Sequence, residues 1–195
     1  LSRSTGLKLL VVTSSDPATQ RAADDLGAMM GGRVQVLPAR EVSFQRVAAA
    51  SQDIAFRRIE ALGLAALGEL DALVAPVDAL QYRLMPREAF LAGVIELSEG
   101  MALDMGELAR RLAEHGYQRV DAVENRGQFA VRGGILDVYP VGRLSALRVE
   151  FFGDEVDSLR DFDALSQRST ARVAGARLMP AREVLLSAPQ AAAGA

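Results

Sequence analysis

The sequence predicts an α/β fold in two parts: a parallel sheet covered by helices, then a smaller, mostly antiparallel α+β unit. Three observations predict it. Residues 7–13 (LKLLVVT) hold a continuous apolar run at 9–12, the pattern of a strand buried on both faces of a parallel sheet. Helical and strand-like periodicities alternate through the first half of the chain. Beyond Val94, short alternating segments dominate, with one helix among them.

In order, the strand at 7–13 leads to Asp16 and Pro17, read as an N-cap and a first-turn proline. Ala18, Ala22, Leu26, Met29 and Met30 then recur near helical spacing, and Gly31-Gly32 stops the helix. Residues 33–37 read as a second strand, 53–67 as a second helix and 71–75 as a third strand. A β-α-β-α-β order implies right-handed crossovers over a parallel sheet. After Val94, Asp104 and Glu107 have the spacing of a capping box, for a helix with Leu108, Leu112 and Ala113 on its apolar side. That helix ends at His115-Gly116. Strands are expected at 118–123, 128–138, 147–152, 156–162 and 171–178. The alanine-rich tail from Ser187 is expected to fray.

LPAREV at 37–42 recurs as MPAREV at 179–184. The match is too short for a structural repeat of fixed period and suits a shared strand-exit turn. It also suggests that the chain returns to the first domain near Pro180, leaving the second domain as an insertion. The boundaries expected are 1–93 for the first domain, 94–179 for the inserted one and 180–195 for the return segment and tail. The chain opens on Leu1 and reads as a piece of a longer protein.

Composition restricts the function. Half of the 195 residues are hydrophobic, enough for a substantial core. No apolar run approaches the roughly 20 residues that span a bilayer. With no cysteine, disulfides and zinc-thiolate sites are excluded, which suits a reducing cytoplasm. A net charge of −3 opposes a grip on nucleic acid by this chain alone. Lys8 is the sole lysine among 22 basic residues; base composition of the genome explains most of that bias, although arginine also suits planar interface contacts. The phosphate-loop pattern G-x-x-x-x-G-K-[ST] does not occur. His115 suits a helix terminus, and Asp154 and Glu155 suit a hairpin tip. No catalytic, cofactor-binding or metal-binding residues are assigned.

What remains is a surface. In a strand over 147–152, Leu147, Val149 and Phe151 share one face, and Arg148, Glu150 and Phe152 share the other. Phe129 and Val131 likewise alternate with Ala130 and Arg132. A hairpin across 139–146 brings Phe152 close to Gly133 and Arg132, with Arg148 further along the same face, roughly 13 Å away at strand rise. Two readings stay open here. Phe152 is an exposed anchor in a binding patch, or it packs beneath the helix at 104–114 in a sheet buried on both faces. Arg132 and Arg148 could also pair across strands with Asp137 or Glu150, as an exposed pair of little energetic weight.

The segments GYQRVDAVENRGQFAVRGGILDVYP, VEFFGDEVDSLRDFD and LMPAREV, with LLVVT, LPAREV and ALVAPVDAL, resemble the N-terminal region of the bacterial transcription-repair coupling factor, Mfd. They resemble less closely the excision-repair protein UvrB, whose phosphate loop and aromatic-rich DNA-clamping hairpin are not found here. The resemblance implies a degenerate helicase-like α/β domain carrying an inserted domain that binds UvrA, the damage-recognition ATPase. It implies UvrA contact through Arg132, Arg148 and Phe152, the residues that strand alternation also selects. It implies further that RNA polymerase, DNA and ATP are handled by other domains of the parent, and that a C-terminal domain masks the UvrA surface. The expected function is therefore non-catalytic: recruitment of UvrA to stalled RNA polymerase in transcription-coupled nucleotide excision repair. A competing reading is a UvrB-type nucleotide-dependent DNA-processing module, which predicts ATP and DNA binding. A third is an internal scaffold meeting only domains of its own parent.

Overall fold

The computed structural model describes residues 8–40 and 48–183, with side chains omitted at 48–50. It divides into two compact units, 1–91 and 92–195.

The first unit runs β1 (Leu9–Thr13), α1 (Asp16–Met30), β2 (Val34–Val36), α2 (Ala48–Ala66), β3 (Ala72–Pro76), a 3-10 turn (Val77–Leu80) and α3 (Arg87–Ala92). Its three strands are parallel in the order β1-β3-β2, so β3 is central. That order corrects the expectation for the LKLLVVT run. As an edge strand β1 leaves Leu10 and Val12 exposed, whereas the nearly continuous burial of a two-faced strand belongs to β3. The cap of α1 also shifts by one: Ser15 is the N-cap residue and Asp16 lies in the first turn. Gly31 ends α1 in the left-handed region, its N–H donating to Gly27 O. Leu37, Ala61, Ala75 and Ala79 form one core cluster between α2 and the sheet. Arg58 is fully buried and donates to Pro38 O.

In the second unit, β4 (Ile95–Ser98) pairs antiparallel with β11 (Gly175–Leu178), Ile95 standing opposite Leu178. α4 (Met105–Glu114) packs on a six-stranded sheet. The strands are β5 (Gln118–Arg119), β6 (Gln128–Arg132), β7 (Ile135–Val138), β8 (Ala146–Phe152), β9 (Glu155–Asp163) and β10 (Arg168–Arg172), ordered β10-β9-β8-β7-β6-β5. Only the β5–β6 pair is parallel. Asp104 caps α4 by accepting the Glu107 N–H at 2.8 Å. The return half of a capping box is not made; the Glu107 carboxylate bonds Arg110 instead.

The expected strand 128–138 is two strands. Gly133, at φ +58°, and Gly134 form a two-residue turn, and the chain doubles back as a β6–β7 hairpin with Arg132 opposite Ile135. β8 pairs with β7, so Arg132 and Arg148 lie on strands either side of β7 rather than along one line. The β8–β9 ladder slips one residue between Glu150 and Phe151, leaving Asp157 without a cross-strand partner in the register. The expected strand 171–178 is likewise divided between β10 and β11.

The pairing sorts the sheet into two faces. Phe129, Val138 and Leu147 line up across one face beside Leu136, Val149 and Leu159, and all six are buried, as are Leu108 and Leu112 of α4. The other face carries Ala130, Asp137, Arg148 and Arg160 in one row and Arg132, Ile135, Glu150 and Ser158 in the next.

Residues 180–183, expected to begin a return to the first domain, pack on the second unit. Ala181 N–H donates to His115 O at 2.8 Å and the Tyr117 hydroxyl to Met179 O at 2.7 Å. Gly116, at φ +93°, lies so close to Arg182 that a Cβ would collide with its side chain. The remainder of that segment, the tail from Ser187 and the ends of both PAREV copies lie outside the described residues.

Candidate functional site

The site is built on the face of the sheet away from α4, at the end marked by two turns, Gly133-Gly134 and Gly153-Asp154. Alternation along β8 turns Arg148, Glu150 and Phe152 to this face. Phe152 closes the strand opposite Glu155, beside Gly153 at φ +60°, and is 83% exposed. Phe151 points to the opposite face, its N–H donating to Gly134 O at 2.8 Å. Gly134 has no space for a side chain, because a Cβ there would sit 3.2 Å from Phe151 O. Phe152 is thus exposed and does not pack beneath the helix.

The arginines are held otherwise than expected. Both bond Asp137, whose side chain is 1% exposed. Arg148 grips it with two bonds, Nε to Oδ1 at 2.7 Å and Nη2 to Oδ2 at 2.9 Å. Arg132 donates Nη2 to the same Oδ2 at 2.8 Å. The exposed cross-strand pair considered from the sequence is therefore a charge-assisted triad around a buried carboxylate. Its members differ in freedom: the Arg148 side chain is 15% exposed and that of Arg132 51%. The guanidinium carbon of Arg148 also lies 4.9 Å from the centroid of the Phe162 ring, within cation–π range. The Asp137 bonds raise the Arg148 pKa above its usual value, against the opposing effect of burial. Beside this triad Ser158 Oγ donates to Glu150 Oε2 at 2.5 Å, and Arg160 Nε lies 3.8 Å from the same oxygen.

Phe162 links the triad to an apolar region that sequence reasoning missed. Its ring joins Val123, Ala130 and Ala146 in a small core on the same face. Beyond it is an open groove of about 350 Å³ in which Leu144, Phe162 and Leu165 are joined by Glu124, Asp163 and Thr170. Leu144 and Leu165 stand almost fully exposed. The importance of Asp137 was partly legible: a lone carboxylate between Leu136 and Val138 in an apolar strand needs a partner. Which cations reach it depends on strands that are not neighbours in sequence.

Chemically, this face offers oriented guanidinium donors, a bare aromatic ring and a nearby groove with both apolar and acidic lining residues. Among the described residues no group of three or more His, Asp or Glu side chains could hold a metal ion, and no helix is long and apolar enough to cross a membrane.

Residues 95–184 match the family described as the UvrB interaction domain, a range that takes in Arg132, Arg148, Phe152 and Asp137. The second unit is thus of an interaction-domain class. Over nearly its whole length the chain is 32% identical to the transcription-repair-coupling factor of Bacillus subtilis, across 187 residues covering 95% of this chain and 16% of that protein. It is 36% identical to that of Myxococcus xanthus, covering 92% of this chain and 16% of the relative. Identity to the Escherichia coli factor is also 36%, over 68% of this chain and 12% of that protein. The chain belongs to the family of bacterial transcription-repair-coupling factors. It spans between 12% and 16% of the length of these relatives.

Proposed function

We propose that the second unit is a non-catalytic docking module for UvrA, and that within its parent it recruits UvrA to stalled RNA polymerase in transcription-coupled nucleotide excision repair. The observation that carries this reading is the exposed Phe152 ring on the same sheet face as the Arg132 and Arg148 guanidinium groups. Exposed aromatics flanked by arginine are the residue types that dominate binding energy at interfaces. In this reading Phe152 is the apolar anchor, and Arg132 and Arg148 donate charge-assisted hydrogen bonds to carboxylates or carbonyls of UvrA. The first unit is a degenerate helicase-like domain into which the second is inserted. ATP, DNA and RNA polymerase are engaged by other domains of the parent in the bacterial cytoplasm, and a C-terminal domain masks the docking face until it is needed.

Calorimetric titration of the chain with UvrA tests the reading. Binding by the parent sequence and its loss with Phe152→Ala, at unchanged thermal stability, is the expected outcome. Equal binding by both proteins removes Phe152 from the interface, and absence of binding by the parent sequence overturns the docking assignment. Parallel titrations with ATP and with duplex DNA are expected to be silent for this chain.

A further inference from the structure

Asp137 is a carboxylate sealed inside a face whose proposed work is done by cations. Burying an ion pair is a poor route to stability, since a well-packed apolar residue commonly serves as well or better. The geometry suggests a different reason for it. Arg132 and Arg148 both place a nitrogen within 3 Å of the same Oδ2, at 2.8 and 2.9 Å. Two guanidiniums drawn so close repel one another unless an anion lies between them. Arg148 is constrained in plane by its two hydrogen bonds to Asp137 and over one face by Phe162. Its remaining terminal nitrogen, Nη1, makes a 3.4 Å contact with Ser169 Oγ. Arg132 has one hydrogen bond to Asp137 and is half exposed.

We propose that Asp137 is a positioning residue for docking: it gathers the two arginines on one face and orients their outer donors before the partner arrives. The inference rests on the UvrA-docking reading and deepens it. It assigns the arginines unequal parts. Arg148 is a fixed plate that presents one edge, and Arg132 is an arm that can exchange its single bond for a carboxylate of the partner. The Arg148 fork keeps Asp137 satisfied throughout that exchange. Ordering both side chains in advance removes a cost that binding would otherwise bear.

The test is a set of UvrA titrations with the 195-residue chain, each variant first checked by thermal unfolding. Asp137→Asn is expected to weaken binding about tenfold in the parent background. In the Arg132→Ala background, which keeps the Arg148 fork, it is expected to weaken binding less, because the part of its effect that runs through Arg132 is already gone. An equal loss in both backgrounds, or no loss with the fold intact, overturns the proposal. Should Asp137→Asn fail to fold, hydrogen exchange at the Arg148 Nε–H of the parent protein decides. Exchange far slower than at an exposed arginine is expected, and exchange as fast as that removes the positioning role. The docking reading fails separately, if the parent chain itself does not bind UvrA.

Discussion

Phe152 stands clear of the sheet while Arg148 is nearly enclosed, so truncating them is felt in different measurements. Phe152→Ala and Arg132→Ala are each expected to cost about 2 kcal/mol of UvrA binding. Neither should lower the unfolding temperature appreciably, because Phe152 has little packing to lose and Asp137 retains its two bonds from Arg148. Arg148→Ala is different. It strips a buried carboxylate of two of its three charge-assisted bonds and uncovers the Phe162 ring, a change expected to destabilise the fold by about 3 kcal/mol. Urea unfolding alongside calorimetry separates the two effects; Arg148→Ala with undiminished stability would mean that Asp137 is not held as described. Strand alternation was enough to place Arg148 and Phe152 on one face, since that pattern is local. The enclosure of Arg148 was not legible, because Asp137 and Phe162 reach it from β7 and β9.

Among the elements, the β6–β7 hairpin depends most on a single backbone angle. Gly133 is left-handed at φ +58° with open space around its α-carbon, so Gly133→Ala tests conformation without a clash. It is expected to cost about 1 kcal/mol of stability in denaturant titration, and to weaken UvrA binding by disturbing Arg132 next to it. At the end of α4, burial and the nearby Arg111 lower the His115 pKa, against a weaker opposing effect from Glu114. A histidine whose folded pKa is depressed favours the folded state only while neutral. The unfolded chain takes up the proton first, so stability falls as pH drops through the unfolded value near ~6.5 and levels off below the folded pKa. His115→Gln is expected to flatten that limb in unfolding measured from pH 7.5 to 5; an unchanged limb would assign it to carboxylates. The helix was readable because Asp104, Leu108 and Leu112 declare its cap and apolar stripe. The glycine pair was misread as part of a longer strand. Flanking apolar alternation continues through it, and a turn is visible only in the pairing on either side.

At the scale of the molecule, alternating periodicities were enough to expect a parallel sheet in the first part and an antiparallel one in the second. Which strand lies at an edge was not legible: LKLLVVT looks central by composition, yet the chain places ALVAP at the centre, a fact of long-range order. The docking reading makes a demand at this scale too. A chain limited to residues 92–183 is expected to bind UvrA with the affinity of all 195 residues, and residues 1–91 to bind none; surface plasmon resonance with immobilised UvrA checks both. The pairing of β4 with β11 has one more consequence. Ile95 faces Leu178 across a ladder only about 5 Å wide, so the first and last strands of this unit stand side by side, and residues 179–183 then clasp it at His115 and Tyr117. A body closed in this way is portable only with its clasp: a graft into a surface loop of an unrelated host has to carry those residues along.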